Sequence, residues 1–283
     1  MPLRCILVPT GPGIHPHRRL DAALRLARHT KAHIGTLYVD STADRSAHGL
    51  STAASSPQFE NTLNQAQALA AAARGEFEHW CTTAGVPTHS DQRLDATFAS
   101  WRERTGDLET AVALTGRVND LIVVDNPTKG EAFAETVFDA AVFSSGRPTL
   151  VLGEQLPDDL LRHVVIAWNG SLEGARAVGQ SIALLREAER ISIITIPSDR
   201  ERQAGIADLG DYLHWHGIVV EAAGLVPDTL GPTGEEIVAS CKHAKATLLV
   251  MGAYTHSRLR QAFLGGVTQH ILANATLPVL MAH

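Results

Sequence analysis

The chain is poor in the features that would give it away quickly. Hydrophobic residues make up 45% of its 283 positions, yet none of the apolar runs approaches the roughly 18 residues a membrane helix needs. No membrane span is expected. Its three cysteines, Cys5, Cys81 and Cys241, are widely spaced and form no C-x-x-C pair, which argues against both a disulfide framework and a structural zinc site. Cys5 and Cys241 are expected to act as small core hydrophobes. A formal net charge of −6 disfavours the basic footprint of a nucleic-acid binder, although a local cradle of backbone N–H groups could still hold a free nucleotide. Met1-Pro2-Leu3-Arg4-Cys5-Ile6-Leu7-Val8 passes straight into an apolar run without a signal-peptide pattern, so a cytoplasmic location is expected.

Several near-motifs lack the parts their chemistry needs. There is no G-x-x-x-x-G-K-[ST] loop, so fast phosphoryl transfer has neither its lysine nor its magnesium-binding hydroxyl. Thr10-Gly11-Pro12-Gly13 begins like a dinucleotide fingerprint, but Pro16 takes the place of the third glycine and the segment reads as a turn. In Gly170-Ser171-Leu172-Glu173-Gly174 the serine comes one place too early for a nucleophile elbow and suits a helix N-cap instead. His15/His17 and His214/His216 are the closest pairs among fourteen histidines. Alternate positions on a helix do not face each other, so they read as solvated or helix-end residues, with Gly217 as a helix stop. Glu131, Glu135 and Asp139 at four-residue intervals describe a solvated helix face. No catalytic set and no metal site emerges.

What the chain does contain is an internal repeat. Residues 4–10 match 163–169, residues 119–125 match 245–251, and residues 147–152 match 277–281, each an apolar run at the same place in the frame. A repeat this long is a duplicated domain. The polar, turn-rich segment 153–159 marks the boundary, giving domains 1–153 and 160–283. In the second half, strands are expected near 164–168, 191–196, 218–224, 247–252 and 278–282, with helices near 172–187, 201–216, 233–244 and 266–275. The first half is expected to place strands near 4–9, 33–39, 87–94, 121–125 and 148–152, with a long helix over 58–84. Alternating strands and helices, and nearly continuous apolar strands, imply parallel sheets covered on both faces. The fold class is therefore α/β, two tandem doubly wound five-stranded domains of Rossmann-like type. Ligands of such sheets sit beyond the carboxyl ends of the strands, where the winding reverses.

The second half ends on a buried strand with Met251-Gly252-Ala253-Tyr254-Thr255, then Gly265-Gly266-Val267-Thr268, then Pro278-Val279-Leu280-Met281. Glycines before a helix start suit an anion, because backbone N–H groups point at it. Together with Ala167-Trp168-Asn169-Gly170-Ser171, these segments resemble the universal stress protein family in its tandem form, over about the whole chain. The resemblance implies the adenine nucleotide alpha hydrolase-like fold, an internal pseudo-twofold pairing Thr149–Leu152 with Val279–Ala282, and a role in stress response. Nucleotide-binding members carry Gly, two residues, Gly, nine residues, Gly, then Ser or Thr around the phosphates of ATP. Here Gly252 and Gly265 match, Thr255 replaces the second glycine and Gly266 replaces the hydroxyl residue, while Val267 follows and Thr268 offers a hydroxyl nearby. The adenine and ribose contacts implied by the family fall on Ala167, Asn169 and Ile196. Asn169 stands where those members have Asp, which removes a charge-assisted contact to a hydroxyl.

The resemblance thus implies ATP or another adenine nucleotide, with Mg2+ beside it, in the second half. The first half departs further: Asp125 replaces the first glycine, Glu135-Thr136 lies where Gly265-Gly266 lies, and the intervening loop is about three residues shorter by alignment. A phosphate there is expected to face unpaired carboxylates. The expected protein binds rather than turns over, and two other readings stay open: a nucleotide-free partner-binding scaffold and a slow ATPase. A homodimer and the identity of a protein partner stay open as well.

Overall fold

The computed structural model describes residues 2–41, 57–88, 96–195, 200–225, 233–253 and 266–283. The first half runs β1 (Cys5–Thr10), α1 (His17–Thr30), β2 (His33–Asp40), α2 (Pro57–Ala84), β3 (Ala99–Thr105), α3 (Leu108–Gly116), β4 (Leu121–Val124), α4 (Ala132–Asp139) with a terminal π turn, and β5 (Thr149–Val151). The second half repeats the frame with β6 (Val164–Ala167), α5 (Leu172–Leu185), β7 (Ile191–Thr195), α6 (Arg200–Trp215), β8 (Ala222–Leu225), α7 (Thr233–His243), β9 (Leu248–Gly252), α8 (Gly266–Asn274) and β10 (Val279–Ala282).

All the strands join one ten-stranded sheet of order β3-β2-β1-β4-β5-β10-β9-β6-β7-β8. Each half is parallel within itself, and its winding reverses between β1 and β4 or between β6 and β9. The halves meet antiparallel through their last strands, Val279 opposite Val151, Leu280 opposite Leu150 and Met281 opposite Thr149. Two edges that would otherwise be templates for foreign strands are thereby closed on each other.

Every inward side chain of β4, β5, β9 and β10 is apolar or small, as burial on both faces requires. One apolar layer gathers α1, α2, α5 and α6 over Ile6, Val8, Leu121, Val164, Ile166 and Val250. The opposite layer gathers α3, α4, α7 and α8 over Leu7, Ile122, Val165, Leu249 and Met281. Both layers run across the two halves without a break. Each fully buried aliphatic side chain contributes about 1.5–3 kcal/mol relative to exposure.

The first half's third strand is not at 87–94. Pro87 and Thr88 lie outside any strand, residues 89–95 are outside the described set, and the strand runs Ala99–Thr105. It is the outer edge strand, so its end carries Arg102, Glu103 and Arg104 into solvent and lacks the apolar run that betrays a central strand. The segment read at 218–224 likewise forms its strand later, at Ala222–Leu225.

The connection between halves is strapped to α1. Arg18 donates to the carbonyls of Gly153 and, at 2.6 Å, Glu154; Arg25 donates to those of Leu156, at 2.6 Å, and Pro157. Gln155 N–H reaches Thr276 O at 2.8 Å.

Candidate functional site

Strands β6 and β9 are neighbours in register, Ala167 opposite Met251, so Ala167 and Asn169 from the first strand and Gly252 from the fourth converge where the winding reverses. Because α8 runs back against the strands, its first turn, Gly266 to Thr268, stands at the same end of the sheet. Ile196, Thr255 and Gly265 lie outside the described residues.

The loop after β6 is held by its own side chains. Ser171 caps α5, its Oγ accepting from Gly174 N–H at 3.0 Å, and Asn169 Oδ1 accepts from Ser171 N–H at 3.1 Å. Asn169 is itself exposed, and Ala167 is half-buried. Gly252 is packed bare against α5: a Cβ there would lie 2.5 Å from Gly174 N and 2.9 Å from Glu173 Cβ. Gly266 has open space around it, Val267 leans on the apolar layer, and Thr268 is only 4% exposed. The Thr268 side chain therefore faces the protein interior and is not offered to solvent.

Trp168 was passed over by motif matching. Its ring lies beside Gly174 of α5 and Gly205 of α6, with Nε1 3.4 Å from where a Gly205 Cβ would be. That Nε1–H is buried and has no acceptor among the described residues. The available signal was the repeat itself, which puts an indole at 168 opposite Pro9.

In the first half the corresponding place is filled. Arg19, on the first turn of α1 and 1% exposed, pairs Nη1 with Asp125 Oδ2 at 2.7 Å just past β4. Phe133 of α4 covers Gly11, its Cε2 2.8 Å from a Cβ placed there, and the Arg19 guanidinium stands 6.0 Å from the Phe133 ring centre. Burial pulls the Arg19 pKa down, while Asp125 and Glu131 hold it up. The expectation of unpaired carboxylates needs correcting: Asp125 is neutralised by Arg19, and Glu135 is solvent-exposed. Arg19, Asp125 and Phe133 pack together at this end of the first half.

Arg19 and Gly174 are each the third residue of their helix, α1 and α5, and Asp125 follows β4 directly while Gly252 ends β9. One half has a buried arginine paired with a part-exposed aspartate where the other has two closely packed glycines.

Among the described residues no group of three or more His, Cys, Asp or Glu side chains is placed to hold a metal ion. None of the described helices is long and apolar enough to cross a membrane. His214 is exposed and Gly217, at φ +74°, ends the α6 segment.

Comparisons with known proteins agree with this geometry. Residues 228–283 match the model of the universal stress protein family, a segment that holds Gly252 and α8. A universal stress protein from Archaeoglobus fulgidus DSM 4304 superposes with a TM-score of 0.71 at 15% identity, covering 98% of this chain and 95% of that one. A universal stress protein of Pseudomonas aeruginosa UCBPP-PA14 superposes with a TM-score of 0.59 at 16% identity, covering 98% and 92%. At such identities the likeness is one of fold. No curated protein matches at a significant level. Residues 228–283 thus carry the sequence pattern of the universal stress protein family, and the whole chain carries the fold of the universal stress protein structures that it matches from end to end.

Proposed function

We propose that the second half binds an adenine nucleotide such as ATP, with Mg2+ accompanying the phosphates, and that the protein acts in a cytoplasmic stress response by binding rather than by turnover. The observation that carries this reading is the convergence of Ala167, Asn169 and Gly252 at the switch point of a sheet whose fourth strand and last helix match the family model. Bare backbone at Gly252 and Gly266 leaves N–H groups rather than side chains to meet phosphates. The domains are taken as 1–153 and 160–283, with the first half not binding nucleotide because Arg19, Asp125 and Phe133 fill its cleft.

Gly266→Asp tests the reading cleanly. The added side chain has open space, so the fold is expected to be unaffected, and an aspartate in a first helical turn suits the helix dipole. Its charge would meet the phosphates. Titration calorimetry should show ATP binding in the parent and a loss of at least tenfold in the variant at unchanged melting temperature. Binding indifferent to Gly266→Asp would place the phosphates elsewhere.

A further inference from the structure

The ion pair in the first half is more than a core contact. Arg19 is 1% exposed, yet its guanidinium is only partly satisfied: Nη1 meets Asp125 at 2.7 Å, Nη2 reaches His15 O at 3.3 Å, and Nε has no partner among the described residues. A guanidinium offers five donors in a planar fork that matches oxyanions, so a buried arginine with a spare donor is short of acceptor oxygens. The cation is closed off from solvent, but its anion is not, since the Asp125 side chain is 33% exposed. The pair stands between the ends of β1 and β4, the switch point of the first half, where sheets of this kind take their ligands. Glu131 is the other carboxylate whose field reaches Arg19.

We propose that the first half contains a phosphate-type oxyanion site built on Arg19, and that Asp125 is its resident anion, an intramolecular contact that keeps the site shut. The tethered carboxylate competes at an effective concentration in the millimolar range or above, so free phosphate does not displace it in the parent protein. Removing the carboxylate leaves a buried, uncompensated cation and makes the first half depend on an external anion. The proposal shares no residue with the nucleotide site of the second half, and its test is read without nucleotide.

The test compares thermal unfolding of the full chain, of Asp125→Asn and of the double variant Arg19→Met with Asp125→Asn, in millimolar inorganic phosphate against chloride at matched ionic strength. Asp125→Asn should melt below the parent and recover several degrees with phosphate, saturably, while the parent and the double variant respond no more than to chloride. If Asp125→Asn does not fold without an anion, its refolding yield in phosphate against chloride reads the same dependence. A phosphate response no larger than the parent's, or one that survives loss of Arg19, overturns the proposal. Failure of the nucleotide reading would appear separately, as absence of ATP binding sensitive to Gly266→Asp.

Discussion

Gly252 and Gly174 touch through backbone alone: a Cβ on Gly252 would lie 2.5 Å from the Gly174 amide nitrogen. The end of β9 and the first turn of α5 are therefore as close as two chain segments can come. Gly252→Ala should push them apart at a cost of about 1–3 kcal/mol, the range of overpacked interiors. Gly266→Ala, with nothing within 4 Å of its new methyl, should stay within about 0.5 kcal/mol. Urea denaturation of the two variants checks both. Equal midpoints would show that the close approach is not maintained in solution.

Gly153 has a similar role at the connection between halves. A Cβ there would collide with the carbonyl of Thr276 and lie 2.5 Å from that of Leu277. Gly153→Ala should loosen the strap that Arg18 and Arg25 hold against α1. Hydrogen exchange at residues 154–158 should accelerate severalfold while the central strands keep their protection. Unchanged exchange in that segment would show that the connection tolerates the methyl.

The legible parts of the fold were the buried parallel strands, because runs such as Thr247-Leu248-Leu249-Val250-Met251 need apolar side chains on both faces. The strand Ala99–Thr105 escaped because an edge strand guards itself with charge, and Arg102, Glu103 and Arg104 read as loop. The candidate site was legible only as a place. Glycines 252 and 266 and the loop from 167 to 169 were found by frame and spacing. The partner of Asp125 is not legible in the sequence, because an arginine on the polar-looking start of α1 reads as solvated. The correspondence of Arg19 with Gly174 appears only once the helix starts are known, since the loops before α1 and α5 differ in length.

The cysteines give a prediction about accessibility. Burial pushes the Cys241 thiol up to about 12, and burial with the nearby Glu78 carboxylate pushes Cys81 up to about 11. Cys5 is only half-buried, although burial and then Asp120 raise it too. Since the thiolate is the reactive form, a charge-neutral alkylating reagent near pH 8 should label Cys5 first and leave Cys81 and Cys241 untouched until unfolding. Mass mapping of the labelled peptides decides it, and early labelling of Cys241 would contradict its burial.

Asp107 gives a prediction with a pH sign. Its carboxylate caps α3, accepting from Thr110 N–H at 2.7 Å, and hydrogen bonding with the Thr110 side chain first, then with its N–H, lowers the Asp107 pKa below the ordinary value. A depressed folded pKa stabilises fully above the unfolded value of about 3.9 and is lost as pH falls through the folded pKa. Asp107→Ala should cost about 0.5–1 kcal/mol at neutral pH, the lower end for caps because the site is exposed. The difference in urea midpoint should shrink as pH falls through that acidic window. A constant difference down to the most acidic point would mean that the cap charge contributes nothing.

The central claim is that one half binds and the other is filled from within by Arg19, Asp125 and Phe133. The most direct measurement is the number of ATP molecules held per chain at saturation, by titration calorimetry with native mass spectrometry as the count. The account predicts one per chain in the parent, lost in Gly266→Asp. Two equivalent sites per chain would contradict it.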